Sequence, residues 1–150
     1  MKNLFKPHID NLVRYQTSFG RDLNEGLRLD RNERVSNFPP AVFEDILNKF
    51  KSYSISASPD TDVLYRKIAK FLDIPKEMIY ITSGITEGIR ILFETLTNPG
   101  ENVIVLHPTY PLYSIYAKMY QIEYRKFGFK EDLSPDWDSL YRSIDDKTTM

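Results

Sequence analysis

The chain has 150 residues, 41% of them hydrophobic, enough for one α/β domain with a buried core. Its interleaved charges sum to −1, which gives no general attraction to nucleic acid or an anionic membrane, and the absence of cysteine excludes disulfides and thiolate metal sites. No run approaches the roughly 20 apolar residues of a membrane span, and "MKNLFKPHIDNLVRY" lacks a secretory apolar core, so a cytoplasmic protein is expected.

Residues 1–38 mix charge, Gly and Pro without a sustained period and read as an N-terminal arm, with "LRLDRNE" as a short extended piece. From Pro39 the pattern turns helical. Two prolines suit a first turn, and Phe43, Ile46, Leu47 and Phe50 build one apolar stripe. After "SYSISASPD", Ser58 is the expected cap of a second helix with Pro59 at its first position. Leu64, Ile68, Phe71 and Leu72 form its buried face, and Pro75 ends it.

"MIYI", Met78–Ile81, reads as a strand. Beyond the polar hinge Thr82–Thr86, the residues Ile85, Ile89, Leu92, Phe93 and Leu96 share one helical face, which "TNPGE" stops. "NVIVL", Asn102–Leu106, is a continuous apolar run and predicts a strand buried on both faces. "HPTYP" is a loop, and Leu112, Ile115, Tyr116 and Met119 mark another helix. "IEYRKF", Ile122–Phe127, alternates as a strand nearer a sheet edge. Ser134-Pro135 opens a last helix with Trp137, Leu140, Tyr141 and Ile144 on one side, and "DDKTTM" ends where a further strand is expected.

The order from residue 58 is therefore α-β-α-β-α-β-α. That alternation predicts an α/β fold, a three-layer α-β-α arrangement with a mostly parallel sheet, over residues 39–150. Ligands of such sheets bind at the carboxyl ends of the strands. The hinge in "YITSGITEGIR" lies at one such end. A helix opens with unpaired backbone N–H groups and a partial positive charge, so Ser83, Gly84, Ile85 and Thr86 can gather donors around a phosphate. A plain strand–helix turn capped by Thr86 accounts for the same residues. Neither a Walker loop nor G-x-G-x-x-G is present. Tyr110, at the next strand end, offers a face on which a flat ring can stack; the alternative is a half-buried packing tyrosine. A phosphate nest beside a stacking ring suits pyridoxal phosphate.

The bland readings cover most other polar groups. His8 and His107 have no partners at metal-ligand spacing, so no metal is expected. Tyr113, Tyr116 and Tyr120 read as packing groups, Lys118, Lys126 and Lys147 as surface charges, and Asp145-Asp146 as solvated turn charges. Glu87 sits in a first turn, where the helix dipole favours an acid.

The run "YITSGITEGIRILFETLTNPGENVIVLHPTYPLYSIYAKMY", with "LDRNE" and "SPDTDVLYRKIAKFL" before it, resembles the N-terminal part of the large domain of fold-type I, pyridoxal-phosphate-dependent aminotransferases. It is most similar to the histidinol-phosphate branch of class I/II. The similarity covers most of residues 27–130. It implies that the backbone amides of Ile85 and Thr86, with Ser83 and Gly84, hold the phosphate of pyridoxal 5'-phosphate, that Tyr110 stacks on its ring, and that Asn32 and its neighbours line the substrate side. Arg34, inside that segment, is weighed with Asn32 as a substrate contact, with a solvated surface charge as the equal alternative. Arg34 also replaces the third residue of the branch's Asn-Glu-Asn triplet, so the resemblance does not extend to histidinol phosphate as substrate. The implied chemistry is transamination between an amino donor and an oxo acceptor in a homodimer, with the cofactor as electron sink. The family's Asn-Pro loop, its pyridine-pairing Asp, its Schiff-base lysine and its carboxylate-binding Arg have no counterpart in residues 1–150, so no catalytic residue is nominated. Open beside this reading are an inactive truncated product, a decarboxylase or lyase on the same scaffold, and a module binding another phosphorylated ligand.

Overall fold

The computed structural model describes residues 4, 6–13, 34, 36–53 and 57–150. They fall into two compact units, one of residues 18–80 and one of residues 1–17 with 81–150.

In the first unit, helix α1 spans Pro40–Phe50, with Pro40 at its first position as the sequence predicts. Helix α2 spans Asp62–Leu72 and begins later than the Ser58-Pro59 cap predicts. Asp60 is the reason: its Oδ1 accepts the Asp62 N–H at 2.9 Å and holds the preceding residues in a turn. Asp62 then pairs with Arg66 at 3.0 Å and Lys76 at 2.8 Å. The helix closes on Asp73 in the left-handed region at φ 55°, with the Ile74 N–H returning to the Ala69 carbonyl at 3.1 Å.

The strand predicted at Met78–Ile81 is not formed. Lys76–Met78 make a 3-10 turn, closed by Met78 N–H to Pro75 O at 3.0 Å and Ile79 N–H to Lys76 O at 3.1 Å. Ile79 is extended, yet no described segment pairs with it. An extended backbone becomes a strand only beside a partner.

In the second unit, helix α3 (Ile85–Leu96) leads into strand β1 (Asn102–Leu106), helix α4 (Leu112–Tyr120), strand β2 (Glu123–Phe127) and helix α5 (Trp137–Ser143). β1 and β2 pair in parallel with Val103 opposite Tyr124 and Leu106 opposite Phe127. The closing residues add to the other edge of β1. Asn102 N–H donates to Lys147 O at 2.9 Å, Thr149 N–H to Asn102 O at 3.0 Å and Ile104 N–H to Met150 O at 2.8 Å. Where the further strand is expected the residues form an isolated parallel bridge at Thr148, and β1 lies between it and β2.

Side chains alternate across the sheet. Val103, Val105 and Tyr124 share one face and pack on the cluster built by Ile89 and Phe93 of α3 with Leu112, Tyr116 and Ala117 of α4. Phe93 is fully buried and lies against the rings of Tyr116 and Tyr120, with centroids 6.2 and 6.5 Å away. Tyr113, Tyr116 and Tyr120 are thus packing groups, as their spacing predicts. On the opposite face Phe127 meets Trp137 of α5, with centroids 6.1 Å apart. Helices therefore cover both faces of a parallel sheet, the α-β-α arrangement that the element order predicts. Burial along β1 is deepest at Asn102 and Val103 and only partial from Ile104 to Leu106, less than the all-apolar run predicts.

Asn102 is fully buried on the α5 face. Its Nδ2 donates to Asp145 at 2.8 Å, and its Oδ1 accepts the Thr148 hydroxyl at 2.9 Å. Arg125 of β2 reaches the other Asp145 oxygen at 2.7 Å, the Ser143 carbonyl at 2.9 Å and Glu123 at 2.9 Å. Asp145, exposed at the turn after α5 as the sequence reading has it, is also the hub of a polar clamp that joins β1 and β2 to the segment after α5.

Candidate functional site

The connection into α3 is shaped by Gly84. Its φ of 92° and ψ of 175° make a corner that side-chain-bearing residues avoid, and a Cβ placed there meets nothing within 4 Å. The space over this corner is open to a ligand. The Gly84 carbonyl accepts the Thr82 hydroxyl at 2.9 Å and the Gly88 N–H at 3.2 Å. Gly84 O and the Ile85 N–H share one peptide plane, so fixing the carbonyl aims that N–H the opposite way. Ile85 and Thr86 occupy the first turn of α3, where backbone amides have no partner within the helix. The Ile85 side chain is 71% exposed and leaves the turn uncovered.

Ser83 is turned inward along the chain. Its N–H donates to Glu87 Oε2 at 2.6 Å. That bond, then one from the Ser83 hydroxyl, hold the Glu87 carboxyl below its ordinary range, with Arg90 at 3.8 Å adding attraction. Glu87 stands three residues after the N-cap Gly84, but it reaches past the N-cap amide of a capping box to the residue before it.

The loop after β1 runs His107–Pro111 to the start of α4. The His107–Pro108 peptide is cis, and His107 N–H donates to Phe127 O at 2.8 Å. Tyr110 is half-buried, its ring packed on the cluster of α3 and α4. From the second turn of α4 the Tyr116 hydroxyl donates to the Thr86 carbonyl at 3.4 Å, which links that turn to the first turn of α3. The hinge and the Tyr110 loop thus border the same helix pair.

Of the predicted substrate-side residues, Asn32 lies outside the described residues. Arg34 belongs to the other unit. Its guanidinium donates to the Ser36 carbonyl at 2.9 Å and the Asn37 carbonyl at 3.3 Å, and stands 4.5 Å from the Phe38 ring centroid. No cluster of three or more metal-ligating side chains occurs among the described residues, and no helix there is long and apolar enough to cross a membrane.

The sequence profile of the family "Aminotransferase class I and II" matches residues 22–150. A histidinol-phosphate aminotransferase of Methanococcus aeolicus is 30% identical over 151 residues, taking in 97% of this chain and 41% of that one. One from Clostridium botulinum is 31% identical over 111 residues, 73% of this chain and 31% of its own. The chain spans less than half the length of these curated relatives. Among solved structures, an alanine aminotransferase from Pyrococcus furiosus shares the fold with a TM-score of 0.64 at 23% identity, over 73% of this chain and 31% of that one. Cystalysin from Treponema denticola, which contains a pyridoxal 5'-phosphate cofactor, matches with a TM-score of 0.62 at 19% identity, over 73% of this chain and 30% of its own.

Proposed function

The chain belongs to the class I and II aminotransferase family, and we propose that it supplies the cofactor-phosphate side of a pyridoxal-phosphate-dependent transaminase. The observation that carries this reading is the Gly84 corner. It is open where a Cβ would stand, and it is followed by the first-turn amides of Ile85 and Thr86. A dianionic phosphate fits such a site, with the partial positive charge of α3 behind it. Tyr110 covers the pyridine ring from the neighbouring loop. When bound, the cofactor supplies an electron sink for moving an amino group between an amino acid or amine and a 2-oxo acid or aldehyde.

This chain's residues contribute binding and orientation. The Gly84, Ile85 and Thr86 backbone grips the phosphate, and Tyr110 sets the plane of the ring. Asn32 and Arg34 are the substrate-side residues of this reading. The complete enzyme works as a cytoplasmic homodimer on small molecules, without nucleic acid or membrane. The relatives' shared name makes histidinol phosphate the first amino donor to assay.

The test compares two ligands differing only in the phosphate. Equilibrium dialysis of the protein against pyridoxal phosphate and against pyridoxal gives two affinities. The phosphate ester is expected to bind more tightly, and Gly84→Val is expected to erase the difference. Equal affinities in the unaltered protein would sink the reading.

A further inference from the structure

The Ser83 N–H donates to Glu87 at 2.6 Å. Glu87 is faced by Arg90, which is itself held by Glu94 and Tyr120. A carboxylate in the first turn of α3 would repel a bound phosphate if it stood free. Here its charge is met by Arg90 and its oxygen is taken up by Ser83.

We infer that Glu87 is a positioning residue for the phosphate cradle, acting through Ser83 rather than on the ligand. The inference rests on the transaminase reading above and assigns Ser83 a different part from the one its sequence implies. Three peptide planes define the corner. Glu87 fixes the plane before Ser83 by its N–H. Thr82 and Gly88 fix the plane between Gly84 and Ile85 by its carbonyl. Ser83 and Gly84 join them through the third plane, and the torsions of Gly84 are the loosest in the segment. With both flanks held, the Ile85 N–H keeps its direction and the donors left for an anion are those of Ile85 and Thr86. Without Glu87 the N-terminal flank swings, and the Ser83 donors turn to solvent or compete for the ligand.

The test uses the whole chain and three forms of position 87. Glu87→Ala removes the acceptor. Glu87→Gln removes the charge but keeps an acceptor oxygen. Dialysis against pyridoxal phosphate should show Glu87→Ala weakened roughly three- to tenfold and Glu87→Gln restored to within about twofold. Affinity for pyridoxal should be unchanged in both, a pattern that general loss of structure would not give. In amide nuclear magnetic resonance without ligand, the Ser83 N–H should exchange faster in Glu87→Ala than in the unaltered protein. Undiminished pyridoxal phosphate affinity in Glu87→Ala, or unaltered Ser83 exchange, overturns the assignment while leaving the cradle in place. Equal affinity of the unaltered protein for the two ligands overturns the cradle, and the positioning role with it.

Discussion

The Asn102 side chain, fully buried on the central strand, donates from Nδ2 to Asp145 Oδ1 across 2.8 Å. Asn102 Oδ1 accepts the Thr148 hydroxyl at 2.9 Å, so both ends of the amide are engaged by the segment after α5. A buried amide so satisfied sets register, because a one-residue slip of residues 147–150 would leave both of its ends unpaired.

Replacing Asn102 with leucine keeps the volume but strands Thr148 and Asp145 without their partner. A loss of roughly 1–3 kcal/mol in unfolding free energy is expected, since a hydrogen bond to a charged acceptor is removed and not replaced. Urea titration measures it. A variant as stable as the parent would show that the clamp is dispensable.

Acid should loosen the same clamp. Arg125, then Asn102, then the Lys147 amide hold the Asp145 carboxyl far below its ordinary value of 3.8. A depressed carboxyl contributes stability that is complete above its unfolded-state value and is lost as pH falls from there toward its folded value. Stability is therefore expected to decline as pH drops below about 4. Glu87, Glu101 and Glu123, also lowered by hydrogen-bond donors, add to the same limb. Asp145→Asn isolates the share of the clamp. Thermal melts from neutral pH into this acid range should fall less steeply in the variant, and parallel curves would contradict the assignment.

How far the sequence leads depends on whether a signal is local. Helices α1, α3 and α4 follow from the spacing of Phe43, Ile46 and Phe50, of Ile89 and Phe93, and of Leu112, Tyr116 and Met119. β1 and β2 follow from short apolar or alternating runs. Met78–Ile81 has the same composition, but whether such a run becomes a strand depends on what lies beside it, and no periodicity carries that information. Asp145 and Asp146 are indistinguishable in sequence; only the parallel return beside β1 brings Asp145 to Asn102 and Arg125. The corner at Gly84 was visible as a small polar hinge between two elements. The engagement of Ser83 by Glu87 had no such signal: the bond passes the N-cap Gly84 to the residue before it, and the helix dipole alone accounts for an acid at this position.

The loop "NPGE" makes a structural claim that is separable from the cofactor. Gly100 has φ 93°, and its N–H donates to Gln121 O at 3.1 Å. Beside it, Glu101 accepts the Asn98 N–H at 2.7 Å and the Thr149 hydroxyl at 2.7 Å, tying the loop to the strand edge. A Cβ at Gly100 meets nothing within 4 Å, so Gly100→Ala costs backbone strain alone. About 1 kcal/mol is expected, a drop of about 2–4 °C in Tm. Calorimetry measures it, and the preference for pyridoxal phosphate over pyridoxal should persist. An unchanged Tm would mean that the positive φ is not required.

Tyr110 separates ring recognition from phosphate recognition. Its ring packs on the α3–α4 cluster, the helix pair whose first turn in α3 carries the proposed phosphate donors. Tyr110→Phe keeps the aromatic face and should leave pyridoxal phosphate affinity near that of the parent. Tyr110→Ala removes the face, and stacking of about 0.5–1.5 kcal/mol corresponds to a two- to tenfold loss. Inorganic phosphate, which has no ring to cover, should bind all three forms alike, measured by phosphorus resonance or dialysis. If Tyr110→Ala weakens inorganic phosphate as much as pyridoxal phosphate, the tyrosine supports the fold of the corner instead of the ring. If it weakens neither, the ring lies elsewhere and the pairing of Tyr110 with the Gly84 corner is wrong.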